Sequence, residues 1–107
     1  DSVNLLQALS SGAPVKLGLQ PEVAVTQRVA AALAGNQTSI VYIVGHDALQ
    51  RDETLSAAMA RTALAAADFR LRLIKLGVDE SRLQAYGVGP LAPGTDAPAR
   101  LELLLAD

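Results

Sequence analysis

The stretch from Ile40 to Val44 constrains the fold more than any other part of this chain. Its five consecutive apolar residues, Ile-Val-Tyr-Ile-Val, are mostly β-branched or aromatic, which favours a strand. Because the run does not alternate with polar residues, it predicts a strand that is covered on both faces, in the middle of a sheet. Gly45, His46 and Asp47 follow directly, so the predicted strand ends by presenting a histidine and a carboxylate side by side.

The segment before this run predicts a short strand followed by a helix. Residues 15–19 alternate between apolar and other side chains, which is typical of a strand. Pro21 suits the first turn of a helix, and Gly35-Asn36 suits its end. Between them, apolar residues at every fourth position indicate the buried face of the helix: Val25, Val29 and Leu33.

The segment after the run predicts a long amphipathic helix and two more strands. Apolar side chains recur every three or four residues from 55 to 76, and Gly77 ends the helix. Residues 82–86 and 100–105 read as strands, with turn-rich stretches at 87–90 and 93–96 between them. The predicted core stripe of the long helix consists of Leu55, Met59, Thr62, Ala66, Phe69, Leu73 and Leu76.

The resulting order, β-α-β-α-β-β, predicts an α+β fold. We expect a two-layer sandwich in which two helices pack on one mixed sheet. Residues 1–13 predict an N-terminal lead or linker that ends at a Ser-Ser-Gly break, ahead of one domain at 14–107. A chain of 107 residues is long enough for a single hydrophobic core.

Composition excludes several classes of function. The chain has no cysteine, which rules out disulfides, zinc ribbons and thiol catalysis, and its single histidine predicts no metal site. A net charge of −2 and 3% aromatic residues argue against nucleic-acid binding. No apolar run has the length of a membrane span, so we expect no membrane insertion by this segment. Gly87-x-Gly89 is not followed by a predicted helix, as a phosphate loop would require, and no cofactor is predicted.

Several short motifs carry a family resemblance through their order and spacing. They are Gly45-His46-Asp47 at the strand end, Ala66, Phe69, Leu73 and Gly77 along the long helix, the glycine-bounded stretch 77–89, and Arg100-Leu101-Glu102-Leu103. Together they resemble the OmpA-like C-terminal domain family, the peptidoglycan-associated module of outer-membrane proteins, lipoproteins and flagellar stator proteins. The resemblance covers about residues 14–106.

The resemblance implies a ligand site whose cationic half is altered in this chain. In the family, a strand-tip aspartate and a helix arginine hold the charged groups of diaminopimelate in the peptidoglycan stem peptide, so Asp47 is the implied anionic contact. The family's arginine falls on Ala65 when counted from the helix end and on Met59 when counted from its start. Neither residue carries a charge. Arg61 lies one helical turn before Ala65 and is the candidate replacement.

The candidate ligand-binding residues are therefore Asp47, Arg61 and His46, and each has a plainer interpretation. Asp47 suits the cap of a following helix, and Arg61 suits the solvated face of the long helix. His46 suits a strand-end histidine that satisfies backbone groups. A catalytic pair of His46 and Asp47 would need a nucleophile or acid partner, and because none is visible we predict no catalytic residue.

The resemblance implies a non-enzymatic domain in the periplasm or cell envelope of a Gram-negative bacterium, as a fragment of a larger anchored or secreted protein. The altered cationic partner favours a structural or protein-interaction module, with other envelope proteins as partners and weak or absent peptidoglycan binding. The alternative is retained binding of the diaminopimelate stem peptide through Asp47 and Arg61. An enzyme that uses His46 and Asp47 is a third hypothesis. The oligomeric state is not indicated by the sequence.

Overall fold

A computed structural model of the chain describes residues 2–35, 39–91 and 99–106, in which helices pack on a four-stranded sheet. The helices are α1 (Ser2–Ser10), α2 (Val23–Ala34) and α3 (Leu55–Lys75), and a 3-10 turn spans Glu80–Arg82. The strands are β1 (Val15–Gly18), β2 (Ile40–His46), β3 (Leu83–Gly89) and β4 (Arg100–Ala106). Asn36 and the predicted turn at 93–96 lie outside the described residues.

The sheet is mixed, with the strand order β1-β4-β2-β3. β2 and β3 run parallel and are joined through α3, whereas β4 lies antiparallel between β1 and β2. The last strand of the chain therefore completes the middle of the sheet, and β2 has a neighbour on each side. The predicted α+β two-layer architecture with a mixed sheet is confirmed.

The helices lie on one face of this sheet, and we call the other side the open face. Val41 and Ile43 point into the helix layer and are fully buried, whereas Tyr42 and Val44 are half-buried and Ile40 is 40% exposed. The expectation that β2 is covered on both faces is therefore wrong. The part of the open face around Tyr42 is apolar as well, and its side chains partly cover one another: the Tyr42 ring centroid lies 6.0 Å from that of Tyr86.

The core between the layers is built from medium-sized aliphatic side chains around Phe69. The predicted stripe on α2 is confirmed, since Val29 and Leu33 are fully buried and Val25 packs against them. The predicted α3 is also confirmed, with Gly77 in the left-handed region (φ 99) just after its end. The fully buried side chains of the core are Leu9, Val29, Leu33, Val41, Ile43, Ala66, Phe69, Leu73, Leu83, Leu101 and Leu103.

Two predicted core residues at the ends of α3 are wrong. Leu55 is 44% and Leu76 is 48% exposed. A helix of 21 residues is about 31 Å long, whereas strands of seven residues span about 23 Å, so the ends of α3 extend beyond the sheet.

The N-terminal lead contains a helix that packs on the same core. Leu9 in α1 is 1% exposed and belongs to the core cluster, and Leu5 packs against it. No amphipathic pattern predicts this helix, because it is only nine residues long and carries no charged residue. The boundary between residues 13 and 14 stays a prediction.

The glycines that predicted a turn after residue 86 continue β3 instead. A Cβ at Gly87 would lie 2.1 Å from the backbone nitrogen of Ala63 in α3, and one at Gly45 would lie 2.4 Å from the carbonyl oxygen of Thr62. These two glycines therefore let α3 press directly on the ends of β2 and β3. The Thr62 hydroxyl also accepts a hydrogen bond from the Gly89 N–H, which fixes the strand end to the helix.

Candidate functional site

The side chains of His46 and Asp47, at the end of β2, lie on different sides of the sheet. His46 continues the open-face side of β2, opposite Arg100 of β4, because Gly45 before it faces α3. Asp47 leaves the strand, is held by a hydrogen bond from its N–H to the Gly89 carbonyl, and lines a cleft on the helix side. The two adjacent residues therefore do not form one site.

The cleft beside Asp47 has a volume of about 440 Å³. Its walls come from the turn between β1 and α2, from the loop after β2 and from one side of α3. The lining residues are Leu19, Gln20, Pro21, Asp47, Gln50, Arg61, Leu64, Ala65, Asp68 and Phe69. Asp47, Arg61 and Ala65 thus share one cleft, as counting from the helix end predicts, whereas His46 and Met59 are not among its lining residues.

Arg61 spans this cleft and is bonded on several sides. Its Nη1 donates to Asp47 Oδ2 at 2.5 Å, and its Nε and Nη2 donate to the two carboxylate oxygens of Glu53 at 2.9 and 2.8 Å. Nη2 also donates to the Ala48 carbonyl at 3.3 Å. We call Asp47, Arg61 and Glu53 the cleft cluster. It ties the strand end, the following loop and α3 together.

The charges of the cleft cluster reinforce one another. Hydrogen bonds from Arg61 lower the pKa of Glu53 to about 2, helped by a second hydrogen bond from the Gln50 N–H. Glu53, and after it Asp47, raise the pKa of Arg61. Glu53 and Arg61 are therefore both charged at neutral pH, and two carboxyl groups face one guanidinium group.

Glu53 was not predicted as part of the site. It reaches Arg61 across eight residues, through a loop in which Asp52 adopts the left-handed conformation (φ 61). The sequence shows only the helix start that follows, where the Thr54 hydroxyl accepts a hydrogen bond from the Ala57 N–H. A loop of this shape has no periodic pattern from which its contacts can be predicted.

A second cluster surrounds His46 on the open face. His46 Nε2 lies 3.3 Å from Glu102 Oε2, and Arg100 Nε donates to the same oxygen at 2.7 Å. We call these residues the open-face cluster. Arg100 and Glu102 are two apart on β4, so both point to the same side of the sheet, a signal that the sequence contained.

His46 is held mainly in its neutral form. Burial lowers the pKa of His46 below the ordinary 6.5, Glu102 opposes this, and the Arg100 charge adds to it. The Nδ1 atom of His46 is buried without a hydrogen-bond partner in the described part of the chain. No group of three His, Cys, Asp or Glu side chains within 2–35, 39–91 and 99–106 is arranged to hold a metal ion. Likewise, none of the helices described has the length and apolar character to cross a membrane.

Comparison with solved structures identifies the fold. The peptidoglycan-associated lipoprotein from Burkholderia pseudomallei is similar over 99% of this chain and 100% of its own, with a TM-score of 0.70 and 20% identity. This chain has the OmpA-like fold. A putative MotB like protein from Desulfovibrio vulgaris (TM-score 0.66, 16% identity) and the OmpA-like domain of FopA1 from Francisella tularensis (0.64, 12%) each match 82% of this chain.

The matches differ in how much of each neighbour they cover. The present chain spans 63% of the MotB like protein and 65% of the FopA1 domain structure, but the whole of the lipoprotein structure. No protein-family model matches the sequence, and no curated protein matches it. At 12–20% identity, the OmpA-like fold is retained in a sequence that has diverged widely.

Proposed function

We propose that this chain is a non-enzymatic, OmpA-like module of a bacterial cell envelope, which contacts other envelope proteins and has weak or no affinity for peptidoglycan. The shared fold supports an envelope role, because its neighbours include a peptidoglycan-associated lipoprotein and an OmpA-like domain. We place the module in the periplasm of a Gram-negative cell. His46 faces away from the cleft, which is the reason to assign no catalytic pair.

The observation that carries the proposal is the state of Arg61. Its guanidinium group is already bonded to Glu53 and Asp47. A ligand carboxylate would have to displace these partners, which are held in place by the chain and so compete at a high effective concentration. Arg61 therefore acts as an internal tie between loop and helix rather than as an open receptor for a ligand.

The other lining residues of the cleft, in the part of the chain that the structure describes, do not supply a cation in place of Arg61. Among its described lining residues, Arg61 is the only cation, and Ala65, where counting from the helix end places the family's arginine, carries no charge. Asp68 adds a further carboxylate, although it is paired with Arg72 at 3.0 Å. A zwitterionic ligand needs a cation and an anion on opposite walls, and here the cation is already neutralised.

One observation favours the alternative of retained peptidoglycan binding. The cleft is about 440 Å³ in volume and still has Asp47 and Arg61 in its walls. A stem peptide that exchanged its own carboxylate for Glu53 would satisfy the same guanidinium. In that case the diaminopimelate contact would involve Asp47 and Arg61 directly.

Binding to purified sacculi, together with calorimetric titration of a diaminopimelate-containing stem peptide, separates these two functions. We expect no saturable binding by the native chain at about millimolar peptide, and a gain of binding in Ala65→Arg, which places a cation on the cleft wall. Binding by the native chain that disappears in both Asp47→Ala and Arg61→Ala would overturn the proposal. Circular dichroism of each variant checks that the fold is retained.

A further inference from the structure

Helix α3 has a second apolar side that faces solvent. Its core side consists of the buried residues Ala58, Thr62, Ala66, Phe69 and Leu73. On the opposite side lies a row of exposed residues that we call the outer row: Ala57, Ala60, Leu64, Ala67 and Leu71. At 100° per residue, the two rows are centred roughly 180° apart around the helix axis. A surface helix normally carries charged residues on that side.

The outer row is exposed and bordered by charge, but carries none. Leu64 is 71% and Leu71 is 49% exposed. Arg61, Asp68, Arg70 and Arg72 lie beside the row, and Lys75 follows Leu71 by about one helical turn. Leu64 is the most exposed large apolar side chain in the described part of the chain. An apolar surface that is bordered by charge but contains none is typical of a contact with another protein.

The spacing within the row indicates that the partner is a helix. The residues follow one another at intervals of 3, 4, 3 and 4. This is the heptad spacing of the seam between two helices. The alanines let two helix axes approach to about 8 Å, which brings the leucines into contact with the partner backbone.

We propose that the outer row of α3 binds the outer row of a second copy of this chain, with the two helices antiparallel. When Leu64 packs on the second copy's Ala67, every large residue of the row meets a small one. Leu71 then packs on the second copy's Ala60. The row is therefore complementary to itself under a two-fold axis, as a symmetric dimer requires.

The flanking charges select the antiparallel orientation. A parallel pair would set Arg70 of one copy beside Lys75 of the other, which repel each other. The preference is independent of whether the cleft binds peptidoglycan.

The length of the seam predicts a weak dimer. From Ala57 to Leu71 the row extends about 21 Å, and a single helix pair of that length buries less than the roughly 1,200 Å² of a stable complex. We therefore expect a dissociation constant of roughly 100 µM, so that dimers form when the local concentration is high.

Sedimentation equilibrium of the chain from about 10 µM to 1 mM measures this association. We expect a reversible dimer that Leu64→Glu and Leu71→Glu each weaken at least about tenfold, because each buries a charge in an apolar seam. Val23→Glu is the matched control, since Val23 is 69% exposed and lies outside α3. A monomer at about 1 mM, or equal weakening by Val23→Glu, would overturn the proposal.

Cross-linking tests the orientation, and the absence of native cysteine makes single-cysteine variants unambiguous. In the antiparallel register the two copies of residue 67 are displaced by three residues, about 4.5 Å along the axis, whereas those of residue 57 are displaced by about 26 Å. Mild oxidation should therefore link Ala67→Cys but not Ala57→Cys. Links in both variants would mean a parallel pair, and links in neither would refute the seam.

Discussion

The adjacent residues His46 and Asp47 belong to two different ion clusters, the open-face cluster and the cleft cluster, and these are built differently. The open-face cluster joins adjacent strands, and the side chains of Arg100, Glu102 and His46 are only 10–13% exposed. The cleft cluster joins a strand end, a loop and a helix, and its Arg61 is 27% exposed. The first cluster depends on the register of the sheet alone, whereas the second depends on α3 being held against the sheet.

This difference explains why neighbouring residues in the sequence do not act together. Consecutive side chains of a strand point to opposite faces, so a histidine followed by an aspartate at a strand end is divided between two surfaces. His46 contacts Glu102, and Asp47 contacts Arg61.

The largest effect is expected from a substitution that pushes α3 away from the sheet, because only the cleft cluster depends on the position of α3. Gly87→Ala would place a Cβ 2.1 Å from the Ala63 nitrogen. Because that nitrogen belongs to the helix backbone, the clash cannot be relieved by moving a side chain. We expect a loss of about 3 kcal/mol in the free energy of unfolding, measured by urea denaturation. In the folded fraction, NMR should show the Arg61 guanidinium resonance shifted and the His46 ring little changed.

The control is Gly18→Ala in β1, where a Cβ would meet nothing within 4 Å. It should change the free energy of unfolding by less than about 0.5 kcal/mol. Equal stability of Gly87→Ala and Gly18→Ala would show that α3 does not press on β3. A His46 shift as large as that of Arg61 would show that the two clusters are not independent.

A smaller effect is expected from the acid titration of the open-face cluster. The folded pKa of His46 lies below its ordinary 6.5, so the unfolded chain binds this proton more readily. The contribution of His46 to the free energy of unfolding is fully present above about pH 6.5. It falls as the pH drops toward the pKa that His46 has in the folded chain, by at most about 1.4 kcal/mol per pH unit. Urea denaturation at several values between pH 7.5 and 5 measures this slope.

His46→Leu should remove most of the slope in that interval. The groups that face His46 are Glu102 and Arg100 on β4, and Asp47 follows it in the chain. The lowered pKa values of Glu53 and Asp79 move their effects below about pH 4.5, outside the interval. Identical slopes in the native chain and His46→Leu would contradict the buried, neutral histidine.

The parts that the sequence predicts are those with local or periodic signals. The stripes of α2 and α3 and the alternation of β4 gave the correct elements, and the glycine at the end of α3 located Ala65 in the cleft. Arg61 does reach Asp47. One turn of helix separates Arg61 from Ala65, so the sequence could place Arg61 beside the same cleft, but it did not predict the ion pair of Arg61 with Asp47.

The parts that the sequence does not predict depend on distant or irregular contacts. The apolar side chains on the open face are partly covered by side chains of the neighbouring strands, so a run of apolar residues in β2 did not require a second layer of helices. Gly87 resembles a turn residue, yet its role is set by a helix more than twenty residues away in the chain. The contact between Glu53 and Arg61 depends on one loop conformation, and no pattern of residue types predicts that conformation.

The smallest expected effect separates the members of the cleft cluster. Since the largest cause of the low Glu53 pKa is the hydrogen bond from Arg61, Arg61→Gln should raise that pKa from about 2 toward 4.5. The remaining hydrogen bond from the Gln50 N–H should keep it slightly below the ordinary value. Carboxyl ¹³C NMR titration of Glu53 measures the change, and Arg51→Gln, an exposed arginine in the same loop, is the control.

The same titration tests whether the two clusters are coupled. If they are independent, Arg61→Gln leaves the His46 titration unchanged, because Glu102 and Arg100 stay in place on β4. A Glu53 pKa near 4.5 in the native chain would mean that Arg61 is not bonded to it in solution. Arg61 would then be available to a ligand carboxylate, and the alternative of peptidoglycan binding through Asp47 and Arg61 would gain the free cation that it requires.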